Sequence, residues 1–373
     1  MATTRVAMAM SGGVDSSAAA AILIESGYDL IGFSMQLWDQ RRSRFEANEF
    51  RSARCCSLDD LNDARSVAAR LKIPYYVVNF QNAFEHTVVR TFIENYRNGL
   101  TPSPCVLCNS RMKFDRLMRI AENVKASYIA TGHYARVVFD RANERYVLFR
   151  AKDKNKDQSY FLFELSQAQL SKAMFPLGEL HKEQVRRIAL RRKLPVADKP
   201  ESQEICFIPD RDYSAFVESH CCEILGLTQK SGLFPSGQIV DRKGRILGTH
   251  RGIHRYTIGQ RRGLGIAHSK PLYVLELRSE QNQVVVGERS QLRRHLCRIE
   301  RPNWISIHNL VEPLRVKAKI RSRHEAAPAT ITPADDGEVQ VRFDTPQPAI
   351  SPGQACVFYQ HEKVVGGGWI KKD

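Results

Sequence analysis

Short apolar runs alternate with longer stretches of apolar residues at helical spacing through the first half of this chain. Residues 6–10 predict a strand, followed by Ser-Gly-Gly and a helical pattern over 16–25. Residues 29–35 and 75–79 predict further strands, and 58–71, 83–96 and 111–123 predict helices. A strand over 127–130 continues the alternation, and 135–139 with 146–150 predicts a hairpin. Such alternation implies a parallel sheet covered on both faces. Residues 182–193 predict a helix rich in Arg and Lys, by default a solvated face but also suited to RNA phosphates. Residues 41–54 are polar and irregular, which predicts a long loop of the kind that forms lids or binds partners.

The pattern changes after about residue 210, where Gly and turn residues become frequent, predicting a small β-rich module to about residue 280. Short β runs over 314–320, 329–331, 339–343, 355–359 and 364–369 then predict a small closed barrel. The expected organisation is an α/β domain over 1–210, a small central domain over 211–282 and a C-terminal β-barrel over 283–373. A length of 373 residues fits two or three domains.

Composition narrows the function. Hydrophobic residues make up 43%, which excludes wholesale disorder. No apolar run approaches the ~18 residues of a membrane-spanning helix, and the first strand begins too early to leave room for a leader. The nine cysteines are odd in number and scattered, so reduced thiols in a cytoplasmic setting are expected. A net charge of +16, from 56 Lys and Arg against 40 Asp and Glu, favours a polyanionic partner.

Candidate chemistry begins at Ser11-Gly12-Gly13-Val14-Asp15-Ser16-Ser17, between the first strand and first helix. Two glycines let backbone approach an anion, and the helix N-terminus offers unpaired N–H groups and a positive dipole end. The serines add hydroxyl donors, and Asp15 is placed to hold Mg²⁺ against phosphates. The Gly-Lys-Ser/Thr ending of a Walker A loop is absent. Cys105 and Cys108 form a Cys-x-x-Cys ahead of the helix expected from 111. The pair fits a redox site, half a zinc site, part of an iron–sulfur site, or buried packing. Cys206 lies among apolar neighbours, where a lone thiol is usually inert. Packing is also the expected role of Cys55, Cys56, Cys221, Cys222, Cys297 and Cys356.

The loop resembles the pyrophosphate loop of N-type ATP pyrophosphatases. Further segments are similar to one branch of that class: Ala130-Thr131-Gly132-His133-Tyr134, Lys156-Asp157-Gln158-Ser159-Tyr160-Phe161, Lys199-Pro200-Glu201-Ser202-Gln203-Glu204-Ile205-Cys206-Phe207, Tyr256-Thr257-Ile258-Gly259-Gln260-Arg261 and Ser351-Pro352-Gly353-Gln354. Together they resemble the tRNA-specific 2-thiouridylases, the MnmA family, from end to end. The resemblance implies an adenine-nucleotide α-hydrolase-like α/β domain, a small central domain and a tRNA-binding barrel. It implies ATP binding by Ser11 to Ser17, with Met35 and Gly132 at the adenosine. Cys108 would be the nucleophile and Cys206 the persulfide carrier. His133, Lys156, Asp157, Gln158, Arg321 and Gln354 would touch tRNA. The implied reaction is 2-thiolation of the wobble uridine of tRNAs such as those for Glu, Gln and Lys. ATP, Mg²⁺ and a cysteine desulfurase or persulfide carrier protein would support it.

The chain departs from the family pattern in two places. Ser103-Pro104-Cys105 stands where many members have Asn-Pro-Asp, and Arg321-Ser322 where the pair is often Arg-Tyr. The additional Cys105 raises the hypothesis that Cys105, Cys108 and Cys206 ligate an iron–sulfur cluster with an open iron for sulfide. The competing readings are another pyrophosphate-loop ligase acting on a small molecule, and a non-catalytic RNA-binding protein with a vestigial loop.

Overall fold

The computed structural model describes residues 3–38, 58–200, 205–208, 212–227 and 232–372. The loop expected over 41–54, Cys55, Cys56 and Glu201 to Glu204 lie outside the described residues. The chain divides into two compact units, one of residues 1–87, 105–211 and 362–364, the other of 88–104, 212–361 and 365–373.

The first unit is built on strands β1 (Arg5–Ala9), β2 (Asp29–Gln36), β3 (Tyr75–Asn79) and β4 (Tyr128–Ala130), the hairpin β5 (Ala135–Asp140) and β6 (Arg145–Arg150), and a short β7 (Ala173–Met174). Five strands form one sheet in the order β3-β2-β1-β4-β7, every neighbouring pair parallel. Helices α1 (Val14–Glu25) and α2 (Leu58–Leu71) follow β1 and precede β3. Helix α3 (Lys182–Arg191) packs on α1. Ala18, Ala19, Ala20 and Ala21 of α1 are all buried. Helix α1 is therefore apolar nearly all round, and its small side chains let strand and helix backbones come close. Its core partners include Val6 and Met8 of β1, Ala64 and Val67 of α2, and Val185 and Ala189 of α3.

The helix expected from 111 starts earlier. Helical turns run over Pro104–Leu107, Cys108–Leu117 and Met118–Asn123, the middle stretch wound as a π-helix. Pro104 occupies the first position, where its fixed φ is preorganised and its missing N–H costs nothing. Cys105 and Cys108 thus sit within the helix rather than ahead of it.

The second unit holds helix Arg90–Arg97, which packs on a helix the β-rich expectation missed, α4 (Tyr213–Leu225). Asp212 caps α4 by accepting from the Ala215 N–H, and Gly226 ends it in the left-handed conformation. Tyr96 stacks on Tyr213 at 4.7 Å, and Phe92 meets Phe216 edge-on at 6.2 Å. Strands β8 (Gly237–Val240), β9 (Ile246–His250), β10 (Tyr273–Arg278) and β11 (Gln283–Gly287) form a sheet in the order β10-β11-β8-β9. The boundary expected between 282 and 283 falls in the turn joining β10 to β11. Strands β12 (Arg293–Trp304), β13 (Leu314–Lys319), β14 (Ala327–Pro333), β15 (Val339–Pro348), β16 (Ala355–Gln360) and β17 (Lys363–Ile370) follow. They make a six-stranded antiparallel barrel, closed where β12 pairs with β17 from Ile299↔Ile370 to Trp304↔Gly366.

Candidate functional site

In an open parallel sheet, ligands bind beyond the carboxyl ends of the strands where the chain order reverses. Here that point lies between β1 and β4, because the chain runs from β1 out through β2 and β3 on one side and returns to β4 on the other. The loop after β1 carries Ser11 to Ser17, and the loop after β4 carries Gly132 and His133.

The phosphate loop is shaped by its own residues. Gly12 has φ +69, and a Cβ there would stand 2.2 Å from the Asp60 carbonyl oxygen, so only glycine fits. Gly13 is the N-cap of α1 and supplies no side-chain acceptor to its first N–H groups. Those donors are the ones a phosphate would take. The Ser16 hydroxyl donates to the Gly13 carbonyl at 3.2 Å and accepts from the Ser11 N–H at 3.2 Å. Ser17 turns back to the Gly13 carbonyl at 2.8 Å. Both hydroxyls fix the loop's curvature, while Ser11 is exposed. Gly132 closes against this loop: a Cβ on it would meet the Ser16 nitrogen at 2.6 Å and the Asp15 carbonyl carbon at 2.8 Å. Met35 lies buried near the end of β2.

Three side chains that the sequence reading did not single out hold the loop. The Lys182 ammonium, at the start of α3, lies 2.7 Å from Asp15 Oδ1. The Tyr134 hydroxyl donates to the same oxygen at 2.8 Å. Lys199 donates to the Gly12 carbonyl at 3.1 Å and reaches Asp60 at 2.6 Å and Asp63 at 2.5 Å. Burial alone would lower the Lys199 pKa, but its hydrogen bonds to Asp60 and Asp63 raise it above the ordinary value. These lysines are far from residues 11–17 in sequence, so no local pattern pointed to them.

Cys105 is exposed, and Cys108 is half-buried one turn further along the same helix. That helix is anchored by the Asn109 amide donating to the Phe161 carbonyl at 3.1 Å and by Ser110 donating to the Glu164 carboxylate. Cys206 is half-buried, and its neighbour Phe207 packs between Trp38 at 6.5 Å and Phe84 at 5.4 Å. Phe84 belongs to a short helix, Gln81–Phe84, that also packs on the Cys108–Leu117 stretch. The segments bearing Cys108 and Cys206 therefore both neighbour the Gln81–Phe84 helix. Among the described residues, no three His, Cys, Asp or Glu side chains converge to hold a metal ion. The described positions of Cys105, Cys108 and Cys206 thus do not fit the expected cluster.

His133 is buried, its Nδ1 2.7 Å from the Thr131 hydroxyl. Burial first, and the nearby Lys113 second, push its pKa well below the ordinary value, so the ring is neutral near pH 7. Asp157 turns inward, accepting from the Ala151 and Ser159 N–H groups at 3.2 and 3.1 Å, and Gln158 accepts from the Tyr134 N–H at 2.9 Å. Those two side chains shape their loop, and Lys156 is half-buried beside them. In the second unit, the Gln354 amide donates to the Thr101 and Pro102 carbonyls at 3.1 and 2.9 Å. Arg321 donates to the Pro348 carbonyl at 3.1 Å.

A glycine turn ahead of an uncapped helix N-terminus, at the reversal point of a parallel sheet, is the arrangement of nucleotide-binding α/β proteins, and the sequence matches agree. Residues 4–210 match the family model described as a tRNA methyl transferase HUP domain. Residues 228–288 match a tRNA methyl transferase PRC-barrel domain, and 294–370 an aminomethyltransferase beta-barrel domain. A tRNA-specific 2-thiouridylase MnmA of Koribacter versatilis is 51% identical over 369 residues, covering 98% of each chain. One of Solibacter usitatus is 50% identical over 370 residues, covering 98% of this chain and 99% of its own. The chain belongs to the tRNA-specific 2-thiouridylase family. A solved 4-thiouridine synthetase–RNA complex with bound ATP aligns at a TM-score of 0.34 and 12% identity, over 60% of this chain and 52% of that one. That likeness is too slight to argue from.

Proposed function

We propose that this chain replaces the C2 oxygen of a tRNA wobble uridine with sulfur at the expense of ATP. The observation that carries the reading is half-identity, over nearly the whole length, to proteins named for that activity. The geometry of the first unit supports it. In this reading Ser11 to Ser17 take the ATP phosphates, and Met35 and Gly132 border the adenosine. Asp15, held by Lys182 and Tyr134, would hold Mg²⁺ through its second carboxylate oxygen, with the ion offsetting phosphate charge. Residues 1–210 act as the adenylation domain; the central domain runs from 211 through β11, and the tRNA-binding barrel begins with β12. His133, Lys156, Asp157, Gln158, Arg321 and Gln354 belong to the tRNA-facing set, the inward side chains acting through the loops they shape.

The uridine is first drawn out of its stack, because its C2 oxygen is otherwise inaccessible. That oxygen attacks the α-phosphorus and pyrophosphate leaves, so C2 carries an adenylate. The terminal sulfur of a Cys206 persulfide attacks C2, and AMP departs with the original oxygen. The Cys108 thiolate then attacks the Cys206 sulfur, which releases the 2-thio base and leaves a Cys108–Cys206 disulfide. A thiol reductant reopens the disulfide, and a cysteine desulfurase or persulfide carrier reloads Cys206. Adenylation turns a poor leaving oxygen into a good one.

Release of AMP and pyrophosphate from ATP and Mg²⁺ tests this reading when it is measured with and without unmodified tRNA. The expected result is release that depends on tRNA. Equal release with a small acid and no tRNA would favour a small-molecule ligase instead.

A further inference from the structure

Strand β12 does not alternate simply. A register shift between Arg294 and Leu296 against β15 breaks the pleat, so Arg293, Arg294, His295 and Leu296 are all exposed, as is Arg298. Such bulges re-aim side chains that a regular strand would send to opposite faces. Two hollows adjoin this stretch and share Arg294. One, about 250 Å³, is walled by Arg242, Arg278, Arg293 and Arg294 against a single carboxylate, Glu276. The other, about 370 Å³, is lined by residues 294–298.

Glu276 is engaged by Arg278, its oxygens 3.1 and 3.2 Å from the guanidinium nitrogens. The lining of this hollow thus brings four guanidiniums together with one carboxylate. Ile258, Leu275 and Val285 give the first hollow an aliphatic floor. Its volume is below the ~300–1,000 Å³ usual for whole small-molecule ligands. Forked guanidiniums over an apolar floor suit a phosphate group with a sugar beside it.

We propose that the Arg242–Arg278–Arg293–Arg294 hollow and the bulged face of β12 seat consecutive phosphodiesters of the tRNA backbone. The proposal rests on the tRNA-directed reading above. Such contacts position the RNA without reading its sequence.

The test measures the Kd of the full-length protein for unmodified tRNA between about 50 and 200 mM KCl, a range over which phosphate contacts give steep salt dependence. The double variant Arg242→Gln/Arg294→Gln is compared with Arg70→Gln/Arg141→Gln, which removes the same charge at exposed sites of the other unit. Each lost guanidinium–phosphate contact lowers the slope of log K against log salt by about 0.9. The hollow variant should therefore lose about two from the slope, and the control should change little. An equal change in both would assign the effect to diffuse charge and overturn the proposal, as would an unchanged slope. In a second arm, inorganic phosphate is titrated into the same proteins. Phosphate binding lost in the hollow variant beside an unchanged tRNA slope marks a free-anion site and also overturns it. Absence of tRNA binding by the wild type is a different result, because it removes the functional reading itself.

Discussion

Gly132→Ala tests whether the loops after β1 and β4 form one site. The added Cβ would lie 2.6 Å from the Ser16 nitrogen, 2.8 Å from the Asp15 carbonyl carbon and 2.9 Å from the Ser16 Cα. All three are backbone atoms, so no side-chain rotation relieves the clash. Comfortable contact needs about 3.5 Å, so the first turn of α1 must retreat by roughly 1 Å. Overpacking of this kind costs about 1–3 kcal/mol of stability. The retreating atom is the Ser16 N–H, one of the proposed phosphate donors, and a displacement of about 1 Å can cost ~100-fold in rate, or about 2.7 kcal/mol of barrier. The assay is tRNA-dependent AMP release across ATP concentrations, normalised to folded protein and paired with a thermal melt. A ~100-fold loss in kcat/KM for ATP, with a modest fall in Tm, is the expected result. Wild-type kcat/KM in a folded variant would refute the claim that Gly132 and the phosphate loop form one surface.

Other outcomes follow from the same geometry. Lys182→Met leaves Asp15 with Tyr134 alone, and AMP release should fall about tenfold or more, equivalent to ~1.4 kcal/mol, with a smaller loss for Tyr134→Phe. Lys199→Met leaves Asp60 and Asp63 facing each other and releases the Gly12 carbonyl. Urea unfolding should show a loss of about 1–3 kcal/mol, partly restored by Lys199→Arg. The Lys199 pKa is raised above 10.5, so this contribution is complete below pH 10.5 and fades only as pH rises through the folded value. The His133 pKa is depressed below 6.5 by burial and Lys113, so the unfolded chain takes up its proton first on acidification. Between pH 7 and 5.5 the wild type should lose stability that His133→Gln does not lose, read as converging urea midpoints.

Much of the first unit was legible because its signals are local. An apolar run, a Gly-Gly turn and a buried alanine helix occur in sequence order, and β1, α1 and β2 lie within about a residue or two of expectation. Helix α4 was overshadowed by the turn-rich stretch that follows it from Ser231. Its apolar positions Phe216, Val217, Cys221 and Ile224 are correctly spaced between an Asp cap and a Gly stop, and those caps were the available signal. Strand β12 was hidden for another reason. Only Cys297 and Ile299 point fully inward, while its outward residues are mostly charged. The helix bearing Cys105 and Cys108 starts earlier than the apolar spacing from 111 implies, because Pro104 opens it at the first helical position, where proline is favoured. Lys182, Lys199 and Tyr134 could not be tied to the phosphate loop by any spacing, since the fold alone brings them to Asp15 and Gly12.

The most direct test of sulfur insertion is to incubate the protein with ATP, Mg²⁺, a sulfur donor and unmodified tRNA, and to read thiolated tRNA by retardation in a mercury-containing gel. Cys108→Ser, Cys206→Ser and Cys105→Ser variants are run beside the wild type. Retarded tRNA with the wild type and with Cys105→Ser, and none with the other two, is what the account predicts. Thiolation that survives loss of Cys108 or Cys206, or that disappears with Cys105, would contradict it.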